Sequence, residues 1–568
     1  MFDTLPQDYT SALDWGWDEW KPYFEALSVR ELNAGTVEEW LLERDRVARL
    51  MWEVGARIRV ATTVDTTDEV AENRLKKFMG EVNPQAQKIG FELDKKLVES
   101  GLAPDETKIP LRNVEASLRI FSEDNLPLIT ELSAINTRYN KIAGAQTVEW
   151  EGEERTLSQM YPLLKSTDRD VRERAYHLIE GRLKADREAY NELWSELMAI
   201  RKQMYQNVGL NDFREFAWLQ RNRHDYTPDD ALAFTEAIAD VAVPANQRQL
   251  ERAREKLGYE ALKPWDTQVD PDGRDPLRAY ENITDFIDKT ERIFQQVDPE
   301  LGENFSTMKN EGLLDLDNRK GKGPGGYCTY FALSERPFIF MNAVGYASDV
   351  RTLLHEAGHA FHGFSRGDTN YLMQRQSPME FNEVASMAME LLASPYVTTE
   401  HGGYFDEADS ARYRIDHLRG ILSFWPYMAV VVAFQHWIYT HHDEASDPDK
   451  CDQQWLALWH RYMKGVDWSG YEDFIINRWR RQLHIFNYPF YYIEYGLAQL
   501  GSVQVWANAL TDQQKALKQY REALALGGTV TLPELYETAG AKLAFDADTL
   551  GEAVALIEKT IEELETLQ

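Results

Sequence analysis

The stretch Asp349-Val-Arg-Thr-Leu-Leu-His-Glu-Ala-Gly-His-Ala-Phe-His362 contains the pattern His-Glu-x-x-His, from which the rest of the chain can be interpreted. On an α-helix, His355 and His359 lie one turn apart on the same face, so both imidazoles can reach one zinc ion. Glu356 is rotated by about 100° around the helix axis and leans toward a water molecule on the metal. The spacing therefore predicts a hydrolytic zinc site.

The residues around this motif predict a buried helix. Its apolar positions are Val350, Leu353, Leu354, Ala357, Gly358 and Phe361. Ser348 is suited to the N-cap and Asp349 to the positive end of the helix dipole. A core helix whose histidines are satisfied by neighbouring carboxylates is the alternative to a metal site. His362 is predicted to pack beside the ligands or to support one, rather than to be a ligand.

A catalytic zinc ion takes three protein ligands and keeps one position for water, so a third ligand is expected downstream. Ser377 is suited to an N-cap, Pro378 to the first helical position and Glu380 to the acid of a capping box. Glu380, Glu383 and Glu390 then share one helical face, so spacing alone leaves the ligand open among them. Because Glu380 has the capping role, Glu383 is predicted as the ligand. Glu390 is predicted to orient a ligand histidine, with a solvent-exposed acid as the alternative.

These motifs resemble the thimet oligopeptidase and oligoendopeptidase F family of zinc metallopeptidases. Residues 349–362 follow the pattern DVxTLxHExGHxxH, and Glu383 and Ser386 follow the pattern ExxS on the next helix. The resemblance covers about residues 165–505. Leu164–Tyr176 is similar to the opening of the family's catalytic region. Lys320–Tyr330 and Pro337–Asn342 resemble its glycine-rich loop and strands beside the substrate cleft. His484–Gly496 resembles its aromatic motif.

The resemblance implies roles for residues after the metal motif. Tyr495 and His484 would donate hydrogen bonds to the oxyanion that forms during peptide hydrolysis. Tyr492 and Tyr488 would position the substrate. The tyrosines at 488, 492 and 495 recur at spacings of four and three, which predicts one helical face, with an aromatic core stripe as the alternative. Pro489 predicts that this helix kinks or begins there.

The glycine-rich stretch at residues 321–326 formally satisfies GxGxxG. Charged residues precede it and a strand-like run follows it, so nucleotide binding is rejected. A flexible edge that lets a peptide backbone approach closely is favoured, and Gly325, Gly326 and Tyr327 are the predicted substrate contacts. A mobile surface loop is the alternative.

The composition is that of a folded chain of enzyme size, with 568 residues, 43% of them hydrophobic and 12% aromatic. Its 62 basic and 94 acidic residues give a net charge of −32, which disfavours nucleic acids and anionic membranes as partners. Two cysteines give no disulfide framework, and the first residues lack the features of a signal peptide, so a cytoplasmic protein is expected. The longest apolar run, from Ile421 to Phe434, predicts a buried helix rather than a membrane span.

The residue pattern predicts a mainly α-helical fold. Long helices are predicted at Thr36–Ala61, Thr67–Asn83, Asn113–Asn136, Asp168–Gly209, Pro228–Lys256 and Pro276–Val297. Strand signals cluster between Tyr327 and Asn342, where Tyr327–Leu333 or Phe338–Asn342 could hold a substrate by β-augmentation. A hairpin is predicted at Thr147–Arg155, with its turn at Glu151-Gly152.

The resemblance implies a multi-helical, two-lobed zinc peptidase with a small β-sheet beside a deep substrate channel. An N-terminal helical lobe is predicted at residues 1–165, and a catalytic region that contributes to both lobes at residues 166–568. The predicted function is hydrolysis of internal bonds of short, unstructured oligopeptides by zinc-bound water that Glu356 activates, with one Zn²⁺ per chain.

Two alternatives remain open. A dipeptidyl carboxypeptidase or metallocarboxypeptidase needs a cation for the substrate's terminal carboxylate, and Arg478, Arg480 and Arg481 are available or are simply surface charges. A non-catalytic peptide-binding scaffold is the other alternative, although it has no need of Glu356. The sequence assigns no oligomeric state.

Overall fold

The computed structural model describes residues 2–366 and 369–568, and over these residues the chain is mainly α-helical, which confirms the predicted fold class. The α-helices are Trp17–Val29, Val37–Val64, Glu69–Lys77, Asn83–Ser100, Lys108–Ile120, Asn125–Gly144, Leu157–Met160, Arg169–Ala185, Arg187–Asn207, Phe213–Gln220, Pro228–Asp240, Ala242–Leu257, Ile283–Val297, Pro299–Asn310, Ala347–Ser365, Met379–Ala393, Glu407–Thr440, His442–Ala445, Pro448–Tyr462, Glu472–Ile475, Arg478–Arg481, Leu483–Phe486, Tyr492–Thr511, Gln513–Leu526, Leu532–Thr538 and Ala547–Glu565. The strands are β1 (Thr147–Trp150), β2 (Glu153–Thr156), β3 (Leu314–Asp317), β4 (Tyr327–Phe331) and β5 (Arg336–Ala343).

Several long helices of the sequence analysis are split in the structure. The predicted helix at Asp168–Gly209 is broken at Asp186, and the one at Pro228–Lys256 is broken at Val241. The helical periodicity of the sequence continues across such one-residue breaks, so it does not reveal them. The helix predicted at Thr36–Ala61 is a single helix, Val37–Val64.

Two compact units make up the chain. Unit 1 contains Met1–Leu118, Arg278–Ser410 and Gly501–Leu543. Unit 2 contains Arg119–Leu277, Ala411–Leu500 and Ala544–Gln568. The predicted boundary at residue 165 stays a prediction about sequence regions, because each unit draws on three separate stretches of chain.

Unit 1 contains a three-stranded sheet in the order β3-β5-β4, with β3 parallel and β4 antiparallel to β5. Because β5 lies between two strands, both of its edges are paired. The prediction that Phe338–Asn342 could add a substrate strand is therefore wrong. β4 is an edge strand of this sheet, so β-augmentation is left to Tyr327–Phe331, the part of the predicted Tyr327–Leu333 that forms a strand.

The two faces of β4 contact different helices. On one face, the Tyr327 hydroxyl lies 2.5 Å from Thr63 Oγ1, and the Arg57 guanidinium lies 3.4 Å from the centre of the Phe331 ring. Both partners belong to the helix Val37–Val64. On the other face, a Cβ atom on Gly363 would lie 3.1 Å from the Tyr330 ring. Tyr330 therefore faces the helix Ala347–Ser365, which carries the His-Glu-x-x-His motif.

Unit 2 contains the predicted hairpin, in which β1 pairs antiparallel with β2. Glu151 and Gly152 both have positive φ, 54° and 84°, as a tight two-residue turn requires. The apolar run from Ile421 to Phe434 lies inside the helix Glu407–Thr440. By length and composition that helix could cross a membrane, but 72% of its most apolar window is buried inside the fold, as expected of a core helix.

Candidate metal centre

The helix Ala347–Ser365, called the motif helix below, begins one residue earlier than its predicted cap. Ser348 lies inside the helix, so its prediction as the N-cap is wrong. Asp349 stabilises the helix start instead. Its carboxylate accepts hydrogen bonds from the backbone N–H groups of Val344, Gly345 and Tyr346 at 2.7, 2.7 and 3.1 Å. The Tyr280 hydroxyl donates to the same oxygen at 2.7 Å, so Asp349 ties the end of β5 to the motif helix.

The helix Met379–Ala393, called the glutamate helix below, also has a different cap from the predicted one. Pro378 is the N-cap, so the prediction of Ser377 as the cap with Glu380 in a capping box is wrong. The Ser377 hydroxyl lies 3.2 Å from His362 Nε2 instead. Glu380 is buried in the first turn of the helix.

Gly358 explains how closely the two helices pack. A Cβ atom at this position would lie 2.5 Å from the carbonyl oxygen of Ala385 and 2.6 Å from the Cα atom of Ser386. Backbone atoms cannot yield by that much, so only glycine fits here. The glycine next to His359 therefore brings the glutamate helix within reach of both motif histidines.

The imidazoles of His355 and His359 meet the carboxylate of Glu383. Their Nε2 atoms lie 3.5 and 3.8 Å from Glu383 Oε2, and the three donor atoms lie within 4.8 Å of one another. Ligands about 2.0–2.2 Å from a tetrahedral zinc ion lie about 3.3 Å apart, so this set fits such an ion. The glutamate helix thus brings Glu383, rather than Glu380, to the two histidines.

Glu390 lies behind this cluster. Nδ1 of His355 donates to its carboxylate at 2.7 Å, which turns Nε2 of the same ring toward Glu383. Glu390 is 7% exposed, so the alternative of a solvent-exposed acid does not apply. The contact is the orienting arrangement expected behind a ligand histidine.

Charges and burial act in opposite directions on this cluster. Burial lowers the pKa of His355, but the hydrogen bond and charge of Glu390 outweigh it and raise the pKa to about 9. Burial, followed by the charge of His355, lowers the pKa of His359 to about 3, so this ring is neutral. Burial raises the pKa of Glu356 to about 7, while the charge of His355 and the backbone N–H of Cys328 oppose that rise. The contact with Cys328 places the Glu356 carboxylate at β4.

His362 is not part of the donor cluster. Its ring is buried, and burial holds its pKa well below the usual range. Arg366 donates to Nδ1 at 2.5 Å, so the proton of the neutral ring is on Nε2, next to Ser377. The structure thus places His362 in a packing position.

The glycine-rich loop is held on several sides. Gly323 donates its N–H to the carbonyl of Thr63 at 2.7 Å. The Asn342 side chain donates to the carbonyls of Gly323 and Gly325 at 2.8 and 2.9 Å. The Lys322 side chain is fully buried and donates to the carbonyl of Asp317 at 2.7 Å. These contacts argue against the alternative of a mobile surface loop.

The predicted aromatic residues lie in unit 2, in a stretch called the aromatic segment, residues 484–495. A helix begins at Tyr492, so the single helical face predicted for the three tyrosines is wrong for Tyr488. Tyr488 precedes the helix and is 52% exposed. Tyr492 and Tyr495 occupy the first helical turn, with ring centres 5.9 Å apart. The chain enters this helix through Phe490, whose φ of 61° is rare for a residue with a side chain.

His484 packs against these tyrosines. Its ring centre lies 4.8 Å from that of Tyr492 and 6.1 Å from that of Tyr495. Gln482 Nε2 donates to His484 Nδ1 at 2.9 Å, while Gln482 Oε1 accepts from the Tyr427 hydroxyl at 2.6 Å. Burial, followed by the charge of Arg221, lowers the pKa of His484 to about 4. The ring is therefore neutral near pH 7 and carries its proton on Nε2.

Sequence reasoning missed three arginines that hold the backbone of the aromatic segment. Arg201 donates to the carbonyl of Ile485 at 3.2 Å and to that of Phe486. Arg221 donates to the carbonyl of Pro489 at 2.7 Å. Arg223 donates to the carbonyl of Phe490 and, at 2.7 Å, to Glu494. No spacing pattern connects these arginines to the segment, because they are more than 260 residues away in sequence.

Two of the arginines suggested for a carboxypeptidase have buried acidic partners. Arg478 pairs with Glu180, and Arg480 pairs with Asp452 at 2.7 Å. Arg481 lies close enough to Tyr492 to oppose the rise in the pKa of that hydroxyl. Of the three, Arg481 is the one left for the terminal carboxylate of a substrate.

The helical fold and the cluster of His355, His359 and Glu383 beside Glu356 place the chain in the class of helical metallopeptidases. The chain belongs to Peptidase family M3, whose sequence profile matches residues 162–554. This confirms the resemblance drawn from the motifs.

Three similar proteins define the relationship further. The chain is 24% identical to Oligopeptidase PepF of Bacillus subtilis over 281 residues, which are 47% of this chain and 40% of that protein. It is 23% identical to the chromosomal Oligoendopeptidase F of Lactococcus lactis subsp. cremoris over 426 residues, which are 71% of this chain and 65% of that protein. Among solved structures, PZ peptidase A with inhibitor 2 has a TM-score of 0.86 at 27% identity, with 99% of each chain covered. The matches therefore span less than two thirds of these two curated relatives but nearly all of the solved structure.

Proposed function

We propose that this chain is a zinc-dependent endopeptidase that hydrolyses internal bonds of short, unstructured oligopeptides in the cytoplasm. The observation that carries this proposal is the meeting of His355, His359 and Glu383 on two helices, with the buried Glu356 beside them. Membership of Peptidase family M3 and the names of the two curated relatives support peptide substrates.

The donor set favours zinc, because two imidazoles and one carboxylate are typical ligands of a catalytic zinc site. A zinc ion held there would act as a Lewis acid on a peptide carbonyl and on a water molecule. Within the chain, Glu390 accepts a hydrogen bond from Nδ1 of His355 and so directs Nε2 of that ring toward the metal position. The neutral ring of His359 offers its own lone pair.

Glu356 is proposed as the general base. It takes a proton from the attacking water and then passes it to the leaving amine. Its burial raises the basicity of the carboxylate, and the N–H of Cys328 holds it at the edge of β4. A base is most useful when its pKa lies near the working pH, which is the direction of this shift.

The outer edge of β4 is proposed to bind the substrate backbone. In an antiparallel ladder, alternate residues direct their N–H and C=O groups to opposite sides. The N–H of Cys328 meets Glu356 and the C=O of Tyr330 accepts from Trp52, so both residues direct their main-chain groups away from β5. The C=O of Cys328 and the N–H of Tyr330 point to the same outer side and are the groups proposed to pair with a peptide. An extended peptide can pair with such an edge whatever its side chains. Gly325, Gly326 and Tyr327 lead into the same edge.

Tyr495 and His484 are proposed as hydrogen-bond donors to the oxyanion, and Tyr492 and Tyr488 as substrate contacts. The neutral, Nε2-protonated ring of His484 supports this role, because a neutral donor gains strength as negative charge develops on the substrate. His484 packs against Tyr492 and Tyr495, so the three side chains lie close to one another.

The test is mass spectrometry of an oligopeptide blocked at both ends, incubated with zinc-loaded protein and with chelator-treated protein. Internal cuts that need the metal are the expected result. No cuts in the blocked peptide, together with trimming of an unblocked peptide from its C-terminus, would show a carboxypeptidase instead. Inertness toward both peptides would overturn catalysis and leave a peptide-binding scaffold.

A further inference from the structure

Two main-chain groups on the outer edge of β4 have side-chain partners. At Cys328, the backbone N–H meets the carboxylate of Glu356. Two residues further on, the indole Nε1 of Trp52 donates to the carbonyl of Tyr330 at 3.1 Å. Trp52 therefore occupies a main-chain acceptor that an added strand would use.

Glu53, next to Trp52, covers the chain beyond that point. Its carboxylate accepts the N–H groups of Leu333 and Ser334 at 2.9 and 2.7 Å. Glu53 is fully buried and also pairs with Arg57 at 3.1 Å, so it belongs to the packing of the helix against the strand. Trp52 differs from it, because 45% of its surface is exposed.

The residue spacing of β4 gives the number of peptide residues that fit between Glu356 and Trp52. Successive outward-facing residues of a strand lie about 6.6–6.8 Å apart. Cys328 and Tyr330 are one such step apart, so a peptide that pairs beside Glu356 reaches Trp52 after about two of its own residues.

We propose that Trp52 ends the strand-pairing edge for a bound peptide and so limits how many residues the protein holds on that side of the cleaved bond. The proposal rests on the proposed function and adds a specificity-determining residue to it. Peptide residues beyond Trp52 do not pair with β4, so their backbone groups form no hydrogen bonds with this strand.

The test uses zinc-loaded wild-type protein, W52F and W52A, with a series of end-blocked peptides lengthened one residue at a time from either end. W52F keeps an aromatic ring but loses the N–H donor, and W52A loses both, so each variant frees the carbonyl of Tyr330. In the wild type, lengthening at one end should stop lowering KM after about two residues. In the variants, peptides long enough to reach the freed carbonyl of Tyr330 should gain one hydrogen bond, which lowers KM roughly two- to tenfold, and shorter peptides should gain nothing.

The matched control is L42A, which removes an exposed apolar side chain from the same helix, far along the chain from the residues that meet β4. It should keep the wild-type dependence on length. The same dependence in folded W52F and W52A, or a KM change that is equal for all peptide lengths, would overturn the role of Trp52 and leave the proposed function intact. No cleavage by any form would overturn both proposals.

Discussion

The metal centre of unit 1 and the aromatic segment of unit 2 are built in opposite ways. In the metal centre, residues four positions apart on one helix share a face, and a second helix 15 residues long adds the acids. In the aromatic segment, the residue spacing does not set the geometry. Three arginines from distant parts of the chain donate hydrogen bonds to its backbone carbonyls. One region therefore owes its geometry to helical periodicity, and the other owes it to long-range hydrogen bonds.

The difference also appears in what each region holds in place. Around the metal centre, side chains orient other side chains, as Glu390 orients His355. In the aromatic segment, the side chains of Arg221 and Arg223 orient the main chain, and one of the residues held is Phe490 in its left-handed conformation. Damage to the metal centre should therefore affect chemistry first, and damage around the aromatic segment should affect folding first.

The largest effect is expected on the chemical side of this comparison. E356Q should lower kcat by about 100- to 10,000-fold, because an amide cannot take up the proton of the water molecule. Its zinc content, measured by elemental analysis, should match that of the wild type. Wild-type turnover in this variant would show that Glu356 is not the base.

Substitutions around the aromatic segment should lower stability. R223M should lower the free energy of unfolding by about 3–5 kcal/mol, since it leaves the buried charge of Glu494 without its closest cation. Both side chains are 1% exposed in the pair. The matched control is R214M, because Arg214 and Asp212 form a more exposed pair, each 22% exposed, for which a loss under about 1 kcal/mol is expected. Urea denaturation measures both, and equal losses would contradict the role given to Arg223.

Replacing the acids of the glutamate helix tests whether Glu383 or Glu380 is the metal ligand. E383Q should weaken zinc binding more than about 100-fold, because it removes a charged donor. E380Q is the matched control one turn earlier on the same helix and should keep wild-type affinity. Competition with a chromophoric chelator measures both variants. Loss of zinc in E380Q with retention in E383Q would reverse the assignment.

A smaller loss of zinc affinity is expected for Glu390, which lies behind His355. E390Q should weaken zinc binding about 10- to 100-fold, because an amide oxygen still accepts from Nδ1 of His355 but carries no charge. E390A should lose more, since it also frees the ring to rotate. If both variants bind zinc as tightly as the wild type, Glu390 does not orient the ligand.

The last effect concerns the pH dependence of stability in the aromatic segment. The pKa of His484 is lowered from 6.5 to about 4, so in this range the unfolded chain takes up a proton that the folded chain does not. The free energy of unfolding should therefore fall as the pH falls from 6.5 toward 4. H484Q should lose part of that decrease, which urea denaturation at pH 7, 5.5 and 4.5 would detect. An unchanged pH dependence would contradict the neutral state of His484.

Much of the fold follows from local sequence. The helical periodicity predicts a helix at Thr36–Ala61, which the structure shows as Val37–Val64, and the Glu151-Gly152 pair predicts the turn between β1 and β2. Both are decided by residues close together in the chain, whose spacing or backbone freedom the sequence shows directly. Ends and breaks are harder to predict, because caps such as Pro378 and interruptions such as Asp186 depend on what packs next to them.

The sequence by itself determined that His355 and His359 share a helical face beside Glu356, because the period of an α-helix allows nothing else at that spacing. Only the tertiary structure decided that Glu383 meets the two rings while Glu390 lies behind one of them. Three acids on one face are equivalent until a second helix approaches, and the close approach at Gly358 sets which turn of that helix lies opposite the motif. The physical difference is one of range, because periodicity acts over one turn, whereas packing and long-range hydrogen bonds join residues that the sequence keeps apart.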